Sequence, residues 1–187
     1  SEAVQQMSEG ELLQIEKVRR MDISEELYFD VIRQKTASLI ASCCACGAAS
    51  AGADQETVEK MRLFGEKIGI AFQIKDDTFD FGTDNVGKPV GIDIKEKKIT
   101  LPLIYALNKA NSSERKRMIN LVKNHQDDPK KIQQIIDFVN LNHGVQYANE
   151  KMIAYQNEAF DILFQFSESE ARTGLEQLVR YTTERKK

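Results

Sequence analysis

Apolar residues recur every three or four positions along most of this chain, the period of helices that bury one face. The first such stretch, residues 1–19, carries Ala3, Met7, Leu12, Leu13, Ile15 and Val18, with Glu9, Glu11 and Gln14 read as solvated. A linker follows from Met21 to Glu26, in which Ser24 suits an N-cap with acidic residues in the first turn behind it. The next pattern predicts one helix over 25–46, with Leu27, Val31, Ile32, Thr36, Leu39 and Ile40 turned inward. Residues 47–54 are rich in Ala, Gly and Ser and read as a helix end and turn. A third helix is predicted over 55–81, then a Gly-rich loop over 82–93. Thr100 suits the cap of a helix that tolerates Pro102 in its first turn. Four more amphipathic helices are predicted at 112–123, 128–141, 144–166 and 169–184. Ile132, Ile135, Ile136 and Val139 show the spacing, Phe160, Leu163 and Phe164 read as core, and His125 and His143 read as structural residues near helix boundaries.

The third helix holds the most unusual chemistry. Asp76, Asp77 and Asp80 place three carboxylates in five residues, inside a run with no Gly or Pro between Ile70 and Phe81. At roughly 100° per residue, Asp76 and Asp80 fall about 40° apart, with Gln73 and Asp77 on the same side. Phe64, Ile68, Ala71, Phe72 and Phe79 share another arc, which Lys75 interrupts. Carboxylates on a largely buried helix repel one another and lose hydration, so they call for counter-charge. Mg²⁺ supplies it with few protein carboxylates, completing its shell with water and phosphate oxygens. Taken alone, the pattern also fits a solvated acidic face or a cap.

Composition narrows the field. The 187 residues are enough for one domain with a real core, and three prolines and ten glycines leave long stretches free to be helical. The formal net charge of −3 gives no basic field for nucleic acid. No apolar run reaches the roughly 18 residues of a membrane span, and from the polar, acidic start no signal peptide is expected. Cys43, Cys44 and Cys46 have no second cysteine pair and no nearby histidine, so a zinc site is not indicated. They are expected to be reduced, small residues at a close helix contact in a cytoplasmic protein. The chain opens on Ser1-Glu2 without an initiator methionine, which suggests a fragment or a processed piece.

Lys35-Thr36 sits mid-helix among small side chains that leave room for a ligand, although a lysine there is also an ordinary solvated residue. Lys88, in the Gly-rich loop, can return over the aspartate face, and Lys98 follows shortly after. Carboxylate-held Mg²⁺ together with several lysines is what a diphosphate requires, since its oxygens can be shared between metal and ammonium groups. There is no GxxxxGK[ST] loop, GxSxG elbow or GxGxxG fingerprint.

Gln73 with Asp76-Asp77-x-x-Asp80, Gly87-Lys88-Pro89, Gly91-x-Asp93 and Glu96-x-Lys98-x-Thr100-Leu101-Pro102-Leu103 resemble the second aspartate-rich region of trans-type polyprenyl diphosphate synthases. Ser8-Glu9-Gly10-Glu11-x-Leu13-Gln14 and Ile32-x-x-Lys35-Thr36-Ala37 resemble segments upstream of it, so the likeness covers Met7 to about Leu107. The resemblance implies an all-α bundle of the prenyl-synthase type around a deep cavity, and commonly a homodimer. It implies Mg²⁺ held by Asp76, Asp77 and Asp80, with Asp76 the foremost ligand. Lys35, Lys88 and Lys98 would bind an allylic diphosphate, with Thr36 and Gln73 at the reacting end and isopentenyl diphosphate as co-substrate. The catalytic set so implied is Asp76, Asp77 and Lys35.

The family's first aspartate-rich helix, Arg-Arg pair and isopentenyl-diphosphate pocket lie upstream of the segment resembling Met7. Residues 1–187 are therefore expected to be the C-terminal part of one synthase domain, lacking its N-terminal helices and inactive alone. Two other readings share these residues: a non-catalytic subunit or interaction module of a synthase, and another Mg²⁺-dependent terpenoid enzyme. The lysine set argues against a cyclase, because chain elongation holds two diphosphates at once.

Overall fold

The structure, a computed structural model, describes residues 2–20, 24–82 and 90–185, and is all-α with no strand among them. In chain order the helices are α1 (Glu2–Arg20), α2 (Glu25–Ile32), a π turn (Arg33–Ala37), α3 (Ser38–Ser50), α4 (Gln55–Phe79), α5 (Ile92–Lys95), α6 (Leu101–Lys109), α7 (Ser112–Asn124), α8 (Pro129–Leu141), α9 (Gly144–Leu163) and α10 (Glu170–Glu184). Among the described residues, five of the α-helix starts follow from capping side chains that satisfy a first-turn N–H. Ser24 accepts from Leu27 N at 3.3 Å, Asp54 from Thr57 N at 2.8 Å, and Asn111 from Glu114 N at 3.0 Å. Thr100 takes the expected position before α6 in extended backbone, but its hydroxyl caps nothing and is buried without a partner.

Helix α4, about 37 Å long at 1.5 Å per residue, packs against α3, α9, the π turn and α10. One side of it joins a large core with Ile70 and Ile74 against Leu103, Ile104, Leu107, Met118, Ile135 and Val139. Toward its N-terminal half, Phe64 and Ile68 join Ala159, Phe160, Leu163 and Val179 in a second core. The carboxylate end of α4 thus projects from a scaffold buried on both sides.

The single helix expected over 25–46 is interrupted by the π turn and continues to Ser50. A π turn adds one residue per turn, so side chains beyond it move on by one position. The inward positions expected at Thr36 and Ile40 accordingly fall on Ala37 and Ala41, which are 0 % and 4 % exposed. Leu39, expected inside, is 44 % exposed for the same reason. The turn is clamped by two glycines. A methyl group on Gly10 of α1 would stand 2.6 Å from Lys35 N, and one on Gly69 of α4 would stand 2.6 Å from Ala37 Cα.

Other expectations change as well. Leu12 and Ile15 of α1 face outward, and Phe164 does too, while Phe160 and Leu163 are core as expected. The helix expected to reach Phe81 ends at Phe79, with Asp80 at its C-cap. Of the cysteines, only Cys44 reaches the close α3–α4 contact, beside Gly65; Cys43 and Cys46 are exposed. Each of the two histidines stands at a helix boundary. No helix among the described residues is long and apolar enough to cross a membrane. Lys88, with the rest of 83–89, lies outside the described residues, as do residues 21–23.

Candidate active site

A cavity of about 200 Å³ opens between α1, α2, the π turn, the end of α4 and the segment leading into α6. Lys35, Thr36, Gln73, Asp76, Asp77 and Lys98 all line it. Three separated stretches of sequence thus meet at one place. The glycine clamp positions the π turn so that Lys35-Thr36 faces the α4 side chains.

Lys35 Nζ donates to Gln14 Oε1 at 2.5 Å and pairs with Glu11 Oε2 at 2.6 Å. Glu11 and Gln14, expected to be merely solvated, therefore fix an ammonium at the cavity edge. Lys98 pairs with Glu96 and, at 3.6 Å, with Asp93. Burial pulls the Lys98 pKa down, but Glu96 and Asp93 outweigh it and the net shift is upward, so the side chain stays charged. A third ammonium, that of Lys17, lies over the Tyr28 ring at 5.1 Å on the cavity wall and is 6 % exposed. Sequence reading missed it, although Gly10, Gln14 and Lys17 share one face of α1 at helical spacing.

The three aspartates stand in three different environments. Asp76 lines the cavity and is paired with the guanidinium of Arg185, just past α10. Arg185 lies over the Phe72 ring at 4.4 Å and the Phe79 ring at 5.5 Å. The aromatic pair beside an acidic position was the only hint of this in the sequence. Lys75, whose break in the apolar arc had no account, lies over the Phe79 ring at 5.3 Å. Burial, then the charge of Arg185, lowers its pKa.

Asp77 is 5 % exposed and has both oxygens occupied. Tyr28 donates its hydroxyl to Oδ2 at 2.7 Å, and Gln73 Nε2 donates to Oδ1 at 2.9 Å. Gln73 Oε1 in turn accepts the Thr36 hydroxyl at 2.9 Å. Burial pushes the Asp77 carboxyl up to about 7, against the pull of those hydrogen bonds. Tyr28, 3 % exposed, is raised by the same burial and by Asp77.

Asp80 does not line the cavity. Its Oδ1 accepts the Asp93 N–H at 3.2 Å and its carbonyl accepts the Gly91 N–H at 3.2 Å, which ties the start of α5 to the end of α4. Its Oδ2 is buried without a partner, and burial, then the charge of Asp93, pushes the carboxyl up to about 6. Gly91 permits this turn, since its φ is 85° and a methyl group there would meet Ile132 Cγ2 at 2.4 Å.

Among the described residues no three His, Cys, Asp or Glu side chains converge as a ready metal cage. The hard oxygens of Asp76, beside Asp93 on the same wall, nonetheless fit Mg²⁺ that shares its shell with water and phosphate oxygens. The cation now paired with Asp76 also marks a position where a positive charge is accommodated. Asp76 would hold the metal, with Lys35 and Lys98 facing the same anion. Such a site can bind a diphosphate and stabilise charge on it.

The family model described as polyprenyl synthetase matches residues 1–139. A short chain isoprenyl diphosphate synthase of Methanothermobacter thermautotrophicus is 34% identical over 179 residues, covering 95% of this chain and 54% of that protein. Heptaprenyl diphosphate synthase component 2 of Geobacillus stearothermophilus is 32% identical, covering 99% of this chain and 57% of its own. The chain spans about half the length of the curated relatives it matches. Among solved structures, geranylgeranyl pyrophosphate synthase from Bacteroides thetaiotaomicron superposes with a TM-score of 0.91 at 42% identity, covering 99% of this chain and 62% of that one. A polyprenyl synthase from Caulobacter crescentus, complexed with calcium and isoprenyl diphosphate, superposes with a TM-score of 0.89 at 28% identity, covering 100% of this chain and 57% of that one. The chain belongs to the polyprenyl synthetase family.

Proposed function

We propose that the protein carrying this chain is a prenyltransferase that condenses isopentenyl diphosphate with an allylic diphosphate to give a longer polyprenyl diphosphate. One observation carries the reading: Lys35, Thr36, Gln73, Asp76 and Lys98, from separate parts of the sequence, line a single cavity. Mg²⁺, when bound, supplies positive charge for the departing diphosphate. Asp76 orients that charge, while Lys35 and Lys98 hold the anion and offset the negative charge that builds on it. Thr36 and Gln73 stand at the reacting end. The double bond of isopentenyl diphosphate attacks the allylic carbon as its bond to diphosphate breaks, and loss of a proton restores an alkene. Lys88 belongs to the proposed diphosphate set on the resemblance of Gly87-Lys88-Pro89 alone. A binder of calcium and isoprenyl diphosphate among the structural neighbours supports this substrate class.

Residues 1–187 would form the C-terminal part of one synthase domain, in a cytoplasmic enzyme that is homodimeric at full length. Relatives named as component 2 of a heptaprenyl synthase favour a second reading, in which the chain belongs to one subunit of a two-component enzyme. The test is prenyl transfer by the purified full-length protein with Mg²⁺, isopentenyl diphosphate and an allylic diphosphate. A longer polyprenyl diphosphate is expected, whereas no product with or without a partner subunit would overturn the assignment. Residues 1–187 purified alone are expected to transfer nothing. Measurable transfer by them would refute their incompleteness.

A further inference from the structure

We propose that Tyr28 and Asp77 are positioning residues, and that Asp77 serves to orient Gln73 and Thr36 rather than to ligate a metal. Asp77 lies next to Asp76 in sequence but not in environment. Its two oxygens already take donors, the Tyr28 hydroxyl at 2.7 Å and Gln73 Nε2 at 2.9 Å, and the side chains of Tyr28 and Asp77 are buried. Each oxygen keeps a second lone pair, but it lies in a buried wall, so a cation would have to fit beside the Tyr28 or Gln73 donor already held there.

The order of the bonds fixes more than position. An amide has one accepting and one donating end, and only the pattern of its neighbours decides which way it points. The Asp77 oxygen accepts, so the Gln73 NH₂ turns toward it and Oε1 turns toward Thr36. The Thr36 hydroxyl must then donate to Gln73 at 2.9 Å, which leaves its lone pairs for the cavity. Tyr28 closes the far end of this chain from α2, 49 residues before Asp77. The relay ties α2, the π turn and α4 together at the cavity wall. The Tyr28 ring lines the cavity wall, and its hydroxyl is joined to Thr36 through Asp77 and Gln73.

The catalytic consequence rests on the prenyl-transfer reading above, but the relay itself does not. In the full-length protein, Tyr28→Phe is expected to lower kcat about tenfold or more, with KM for the allylic diphosphate within about twofold. Asp77→Asn is expected to lower kcat about a hundredfold, and the double variant no further, because the two act as one unit. Mg²⁺ binding, measured calorimetrically with an unreactive allylic diphosphate analogue, separates the roles. Asp76→Asn should weaken it about tenfold or more, while Asp77→Asn stays within about threefold. Tenfold weaker Mg²⁺ binding by Asp77→Asn, unchanged kcat in Tyr28→Phe, or additive losses would each overturn the proposal. If the wild-type protein transfers no prenyl group, only the assignment of the reaction fails. The Gln73 side-chain amide, followed by NMR in nitrogen-labelled protein, still reports: its resonances should move in Tyr28→Phe. Unmoved resonances would overturn the relay whatever the protein catalyses.

Discussion

Replacing Gly69 by alanine tests the glycine clamp with one methyl group. The added Cβ would lie 2.6 Å from Ala37 Cα and 2.8 Å from Ala37 Cβ, both part of a buried segment that cannot swing aside. Ordinary carbon contacts begin near ~3.5 Å, so α4 and the π turn must part by roughly 1 Å. The Thr36–Gln73 hydrogen bond spans the same gap at 2.9 Å, and that displacement carries it out of bonding range. Overpacking of this kind costs about 1–3 kcal/mol, and losing the bond adds ~1 kcal/mol. Helix propensity returns about 1 kcal/mol, so the net loss is about 1–3 kcal/mol. Gly174, in the middle of α10, has nothing within 4 Å of its would-be Cβ, so Gly174→Ala should gain up to ~1 kcal/mol. Urea unfolding of the full-length protein and both variants, at fixed protein concentration, measures the difference. If Gly69→Ala proved as stable as Gly174→Ala, the close approach would be refuted, and with it the reason the π turn faces α4.

Three further outcomes follow from the site. Asp76→Ala in the full-length enzyme should lower kcat at least a hundredfold, as loss of a charge-stabilising contact worth ~3 kcal/mol requires, and near-normal turnover would remove Asp76 from the site. Arg185→Gln should tighten Mg²⁺ binding severalfold by calorimetry, because the guanidinium now competes for Asp76; weaker binding would show that it assists the metal instead. Asp77 and Asp80 have folded pKa values of about 7 and about 6, raised above the ordinary 3.8, so between those values the native state binds more protons than the unfolded state. In a chelator, their contribution should therefore favour the fold below pH ~4 and be lost as pH rises to ~7, a slope that Asp80→Asn reduces in pH-dependent unfolding and that an unchanged slope would contradict.

The fold was legible wherever a single helical phase holds. The apolar stripe of α8 and the buried Phe64, Ile68 and Ala71 of α4 lie where period alone puts them. Period names a face but not its cover, so Leu12 and Ile15 read as inward although both are exposed. Nor does it register a π turn, whose extra residue leaves composition and spacing intact while advancing every later side chain by one position. Leu39, at 44 % exposure just past the turn, displays that shift.

The site was legible as a set of residue types, but not as a division of labour. Angular spacing puts Asp76, Asp77 and Asp80 on neighbouring arcs, yet it ignores the axial rise of about 6 Å over four residues. That rise carries Asp80 past the cavity to the end of α4, where the backbone N–H groups at the start of α5 meet its carboxylate. Asp77 is set apart by a residue that no local pattern links to it, since Tyr28 belongs to another helix and its hydroxyl is matched only by folding. Asp76 and Asp77 both line the cavity, but Asp76 is paired with the Arg185 guanidinium while Asp77 holds the Tyr28 hydroxyl and the Gln73 amide. Three identical side chains in five residues thus receive three electrostatic environments, because each faces a different neighbouring segment. On the proposed reading, a metal that needs few protein oxygens would be served by Asp76, leaving the other two to hold the geometry around it.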